Sequence, residues 1–112
     1  MLLVCAIVRP YKLTDLQVAV ARLGVQGMTV IEVQGYGAQD GHEERYRSQL
    51  LQVDFVPRVM VQIAVDESIV EPVMEAIANV ARTGKVGDGR VFVSRLDQAI
   101  RIRTGETGEA AT

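Results

Sequence analysis

Cysteine and histidine are nearly missing from this chain of 112 residues, with Cys5 and His42 the sole examples. A lone cysteine excludes an intrachain disulfide and a thiolate zinc cluster. A lone imidazole in a polar segment falls short of the converging ligands a metal centre needs, and no Ser, His, Asp or Cys, His set can be assembled for nucleophilic catalysis. An excess of positive charge is missing too. The formal net charge of -2 argues against wrapping nucleic acid, so any cationic site must be local. Nor does the amino terminus carry an apolar run long enough to cross a membrane or direct secretion. Residues 1–8 are apolar but short, have no basic residue ahead of them and are closed by Arg9-Pro10. They read as a buried strand with Cys5 as a core thiol, in a cytoplasmic protein with no direct membrane insertion.

What is present is a sequence built to fold. Apolar residues make up 48% of it, which excludes global disorder, and its length suits one domain over residues 1–112. Leu13, Leu16, Val20 and Leu23 recur at helical spacing and predict a helix over 13–23, with Thr14 and Gln17 as a capping box and Gly24 as its stop. Residues 28–34, rich in Thr, Val and Ile, predict a second strand. From Gly35 to Ser48 the pattern dissolves into a loop whose length implies a function. Order returns at Leu50, and Val59, Val61, Ile63 and Val65 alternate with Arg58, Met60, Gln62 and Ala64 as a strand with one buried face. Val70, Val73, Ile77 and Val80 predict a second helix, with Ser68 and Glu71 as its capping box and Pro72 in its first turn. Val91-Phe92-Val93 is the last strand. The repeated order predicts an α+β fold, a ferredoxin-like βαββαβ unit with an antiparallel sheet and both helices on one face. Apolar residues on both sides of the strands leave the other face to be buried against further copies, which predicts a cyclic homo-oligomer.

Two clusters carry the chemistry. Arg82-Thr83-Gly84-Lys85-Val86-Gly87-Asp88-Gly89-Arg90 sets three glycines among cations, so backbone N–H groups can approach a ligand closely while charge balances a polyphosphate. Arg101-Ile102-Arg103-Thr104-Gly105-Glu106-Thr107-Gly108 adds a second Arg-x-Arg pair. The first cluster nearly matches a Walker A pattern, with Gly84 and Gly89 correctly separated and Arg90 following. It fails because Val91 replaces the metal-binding hydroxyl and the loop joins a helix to a strand rather than the reverse. Hydrolysis of the P-loop kind is therefore not expected.

These residues resemble the PII signal-transduction proteins, the nitrogen-regulatory family that senses adenine nucleotides and 2-oxoglutarate. The resemblance runs from Val8-Arg9-Pro10-Tyr11-Lys12-Leu13 through Gly24-Val25-Gln26-Gly27-Met28-Thr29-Val30 and Val53-Asp54-Phe55-Val56-Pro57 to both clusters, where Thr83 to Val93 and Arg101 to Glu109 match with almost no departure. It implies a homotrimer with three nucleotide sites in the clefts between subunits. By that likeness Gly87, Asp88, Gly89 and Arg90 cradle the phosphates, Arg101 and Arg103 add charge, Thr29 and the backbone at Ala64 face adenine, and Gly35, Gly37 and Ala38 line the ligand's path. Gln39 matches the residue that coordinates Mg2+ beside the ATP phosphates and the 2-oxoacid, with Gly41 nearby. Arg58 takes the place of a lysine that pairs with a carboxylate of 2-oxoglutarate. The resemblance further implies a T-loop over 36–53, a B-loop over 82–90 and a C-terminal loop over 97–112.

The departures from the family cluster in the T-loop. Ala38 replaces an arginine near the phosphates and Asp40 a basic residue, which weakens ATP relative to ADP or AMP. Leu51 replaces the tyrosine that receives a nucleotidyl group in many bacterial relatives, so no modification is expected there, and Gln49 lacks the hydroxyl phosphorylated in some photosynthetic ones. Gln62 replaces a glutamate and removes a negative charge from the cleft. The leading expectation is a non-enzymatic regulator whose bound nucleotide sets the T-loop's conformation toward a partner, an ammonium-channel type of membrane transporter or a metabolic enzyme. Three other readings stand beside it. One is a specialised paralogue that senses ADP or AMP for another transporter, such as one for bicarbonate. Another is a weak ATPase using phosphates, magnesium and Lys85 in one cleft. The last is a structural trimer whose glycines are only turns.

Overall fold

The computed structural model describes residues 1–37 and 54–112. Their elements are β1 (Leu2–Val8), α1 (Leu13–Ala21), β2 (Thr29–Gly35), β3 (Val56–Val65), α2 (Val70–Ala81) and β4 (Gly89–Arg95). The strands form one sheet in the order β2-β3-β1-β4, and every neighbouring pair is antiparallel. This is the ferredoxin-like α+β arrangement expected from the alternating periodicities. Residues 38–53, which hold most of the expected T-loop, lie outside the described residues, as do the expected resumption of order at Leu50 and the solitary His42.

The core is a sandwich of helix stripe against strand face. Val4, Ala6 and Val8 of β1 and Val59, Val61, Ile63 and Val65 of β3 point to one side, where Leu16 and Val20 of α1 and Val73, Ile77 and Ala81 of α2 meet them. The strand residues repeat every second position and the helix residues every fourth, the spacings that put each set on one surface. Full burial of a Val or Ile side chain is worth about 1.5–3 kcal/mol, so this layer carries most of the fold's hydrophobic stabilisation.

Three local expectations are corrected. Cys5 is half-buried and lies on the opposite face of β1, because Val4, Ala6 and Val8 take the helix side. Thr14 is no N-cap: α1 begins at Leu13, its entry is a 3-10 turn over Pro10–Lys12, and the Lys12 N–H donates to the Arg9 carbonyl at 3.0 Å. Ser68 likewise sits within a 3-10 turn, Glu67–Ile69, and its hydroxyl donates to Asp66 Oδ2 at 2.7 Å instead of capping α2. Gly24 does stop α1, with φ of 92° and its N–H on the Ala21 carbonyl at 3.1 Å.

No described element covers the second sheet face, where Ile7, Ile31, Met60 and Phe92 project beside Cys5. Phe92 is 50% exposed there, although it stands directly opposite Cys5 in the β1–β4 register. Beyond β4, Arg101 and Glu106 close a tight turn, with Arg101 N–H on the Glu106 carbonyl and Gly105 N–H on the Arg101 carbonyl, both at 2.8 Å. Ile102 stands near its tip, 96% exposed.

Gly89 fixes where β4 begins. Its φ is 110°, and a Cβ built there would lie 1.8 Å from the Ile7 carbonyl oxygen, a backbone atom of the central strand that cannot move aside. Gly84 also has positive φ, 88°, but faces open space. Replacing Gly89 by Ala should therefore cost more than about 3 kcal/mol, while Gly84→Ala should cost about 1 kcal/mol. Thermal melts of the two variants beside the parent protein check the contrast.

Candidate functional site

At one end of the sheet, β1 and β2 finish and β3 and β4 begin, so four strand ends and the 82–88 loop surround a cleft of about 500 Å3. Its lining includes Ile7, Gly35, Gly37, Arg58, Lys85, Gly87, Asp88, Gly89, Arg90 and Phe92. Thus seven residues singled out in the sequence, Gly35, Gly37, Arg58, Gly87, Asp88, Gly89 and Arg90, come to one place. Tyr36, which lines the cleft, meets Phe55 edge to face with ring centroids 5.2 Å apart, joining the end of β2 to the approach to β3.

The loop is closed from inside by Asp88. Its carboxylate accepts the Thr83 N–H at 2.7 Å, the Gly84 N–H at 2.9 Å, the Thr83 hydroxyl and the Arg9 Nε–H at 3.4 Å. The Thr83 hydroxyl is the strongest of the causes that hold this carboxyl well below the usual carboxylate range, followed by the Thr83 N–H. Asp88 therefore organises the loop and does not present a free carboxylate to the cleft. Arg58, Lys85 and Arg90 supply the cleft's positive charge. The side chains of Lys85 and Arg90 make no ion pair or hydrogen bond with described residues, and both line the cleft.

Arg58 is held differently. Its Nη1–H donates to the Pro57 carbonyl at 2.8 Å and its Nη2–H to the Gly87 carbonyl at 3.2 Å. Arg9, which is not among the expected site residues, ties down the same loop through Asp88 and through Nη2–H on the Val86 carbonyl at 3.0 Å. The only hint of that role in the sequence was a cation directly after an apolar strand.

A second hollow of about 660 Å3 lies at the other end of the sheet. Gly27, Thr29, Gln62, Ala64 and Arg101 line it, joining the start of β2 to the end of β3 and to the C-terminal turn. Thr29, Ala64 and Arg101 are thus separated within one chain from the glycine loop. Arg101 is braced by Glu106 Oε1 at 3.5 Å and by the Ala110 carbonyl at 3.2 Å, whereas exposed Arg103 lines neither hollow. Ala38, Gln39, Asp40, Gly41, Gln49 and Leu51 lie outside the described residues. Among the described residues, no group of three or more His, Cys, Asp or Glu side chains converges for a metal ion, and no helix is long and apolar enough to cross a membrane.

The family model for nitrogen regulatory protein P-II matches residues 1–106, a span containing both hollows' strands, the glycine loop and the cations Arg101 and Arg103. The chain belongs to the P-II family. It is similar to nitrogen regulatory protein P-II of Rhodobacter capsulatus, with 50% identity over 106 residues and 95% of each chain covered. The P-II protein of Rhizobium etli is 48% identical over 111 residues, and the nitrogen regulatory protein GlnK of Escherichia coli K12 is 45% identical over 111 residues, each with 99% of both chains covered. P-II proteins are signal-transduction regulators of nitrogen metabolism rather than enzymes.

The Asp88 network has a definite acid dependence. A carboxyl whose pKa is depressed in the folded protein stabilises it fully above the unfolded value and loses that contribution as pH falls through the folded one. Asp88→Asn should therefore be less stable than the parent at neutral pH, and the gap should close as pH drops below about 4, the ordinary Asp range. Melting temperatures of both proteins across an acid series measure it; a gap independent of pH would contradict the assignment.

Proposed function

We propose that this P-II protein is a non-enzymatic regulator that binds ATP or ADP between the subunits of a homotrimer and signals through its T-loop. The observation that carries the reading is the division of the site between the two ends of one chain's sheet. A basic, glycine-rich cleft suits phosphates, with Lys85 and Arg90 unoccupied by described partners. A separate hollow, lined by Thr29, Ala64 and Arg101, suits a purine. Each is half a nucleotide site, and a second copy brings the missing half. The open sheet face bearing Ile31 and Phe92 gives that copy an apolar surface to cover.

In this arrangement the N–H groups of the glycine loop and Arg90 hold the β-phosphate end of the nucleotide, and Arg101 and Arg103 approach it from the neighbouring subunit. Mg2+ bound with ATP would neutralise phosphate charge, and Gln39 is the residue assigned to it. Arg58 offers a planar fork for a carboxylate such as that of 2-oxoglutarate, once its hold on the Gly87 carbonyl is given up. Nucleotide and 2-oxoacid together bias residues 36–53 between states that engage or release a transporter of the ammonium-channel type or a metabolic enzyme. Work as an ATPase is disfavoured because the carboxylate among the cleft's described lining residues, Asp88, is committed to Thr83, Gly84 and Arg9 and is a poor general base.

Light scattering should give three times the chain mass, and calorimetry should give one ADP or ATP per chain. Arg103→Ala should weaken ADP at least ~10-fold, the loss expected for a charged hydrogen-bonding partner of phosphate, without changing the mass. A folded sample that binds neither nucleotide would remove the reading.

A further inference from the structure

Residues 99–112 fold back on themselves beside the second hollow, and their contacts converge on Arg101. Ile100 bridges Thr107, Gly108 N–H donates to the Ala99 carbonyl at 3.1 Å, and the 2.8 Å bond from Arg101 N–H to the Glu106 carbonyl brings those two residues side by side. Glu106 is itself held. The Thr104 hydroxyl donates to its Oε1 at 2.9 Å, and the Glu106 N–H donates back to Thr104 Oγ1 at 3.3 Å. The same carboxylate oxygen lies 3.5 Å from Arg101 Nε, while Arg101 Nη2–H donates to the Ala110 carbonyl at 3.2 Å. Nε and Nη2 share one edge of the planar guanidinium, so two acceptors grip the same edge. What is left is the far end, Nη1 with the second N–H of Nη2, a two-pronged donor beside the hollow that Arg101 lines with Thr29 and Ala64. Exposed Arg103 has no such brace among the described residues.

We propose that Glu106, steadied by Thr104, is a positioning residue that pins one edge of Arg101 and so presents the other end of its guanidinium to a phosphate group. Both side chains of the pair are about half exposed, 45% and 49%, and an exposed ion pair adds little to stability. Its effect is orientation. An arginine already fixed in its binding rotamer loses less side-chain freedom when the anion arrives. A carboxylate beside a cation can also act as a rival of the incoming phosphate, and the two roles have opposite signs. Removing a rival tightens phosphate binding; removing a positioner weakens it. Glu106 and the Ala110 carbonyl sit on the Nε–Nη2 edge, so a phosphate at the far end displaces neither of them. The identity of the anion rests on the nucleotide reading, whereas the hold on Arg101 does not.

Glu106→Ala removes the hold, whereas Glu106→Gln discards the charge and keeps an acceptor oxygen in the same place. Calorimetry with ADP and adenosine reads the phosphate contribution, and side-chain NMR of Arg101 reads rotation about its Nε–Cζ bond, which a gripped edge slows. Glu106→Ala should bind ADP about 3- to 10-fold more weakly, as expected for loss of one or two oriented hydrogen bonds, and should bind adenosine as the parent does. Glu106→Gln should stay within about 2-fold of the parent for ADP, and Arg101 should rotate faster in Glu106→Ala alone. Tighter or unchanged ADP binding by Glu106→Ala would overturn the proposal, as would a Glu106→Gln variant as weak as Glu106→Ala. Should Glu106→Ala disrupt the turn and lose adenosine too, Thr104→Val decides, since it takes away only the hydroxyl behind the carboxylate. It should still weaken ADP about 2-fold or more, and no loss there overturns the proposal. If the parent binds neither ADP nor adenosine, the nucleotide reading fails, and Arg101 rotation in the parent and Glu106→Ala, with inorganic pyrophosphate as the anion probe, still decides this one: equal rotation in the two proteins overturns it.

Discussion

The carboxylate of Asp88 is the contact on which the candidate site depends. A loop with three glycines in six residues, from Gly84 to Gly89, has little intrinsic shape, because glycine surrenders more backbone freedom on ordering than any other residue. Asp88 restores a shape by gathering the Thr83 and Gly84 N–H groups, the Thr83 hydroxyl and the Arg9 guanidinium around one charge. Its negative charge is spent within the loop. Among the described lining residues, Arg58, Lys85 and Arg90 then face the cleft with no second carboxylate beside them.

The layered core beneath explains why this loop is in the right place. β1 lies between β3 and β4, and its approach to Gly89 is so close that no side chain fits there. The start of β4 is consequently fixed against the end of β1, and Arg9 emerges from that end directly beneath the loop. Packing of Val4, Ala6 and Val8 under α2 thus sets the position of a guanidinium that orders a surface loop. The stability of the core and the geometry of the cleft are coupled through one strand.

Much of this was legible in the sequence because its signals are periodic. The helix stripes and the alternation of Val59, Val61, Ile63 and Val65 each name a face, and the structure places those residues in the core. The unbroken apolar run of β1 names no face, since either parity buries apolar side chains, and Cys5 lies off the expected core for that reason. Short 3-10 turns supply both helix entries and leave Thr14 and Ser68 other positions, so neither expected capping box forms. The clustering of glycines and cations marked the cleft. Arg9 was invisible as a site residue because its partner lies 79 positions away, and only the sheet's register brings the two together. The division of the site residues between opposite ends of the sheet is equally a property of topology, not of local sequence.

The uncovered sheet face has a consequence for how this protein would behave on dilution. Ile31 and Phe92 lie open to water on a lone chain, together with Ile102 at the C-terminal turn. Any copy that buries them adds its free energy by mass action, so the melting temperature becomes a function of chain concentration rather than a constant of the polypeptide. A newly made chain is correspondingly most vulnerable to proteolysis and misassociation before it meets its own kind.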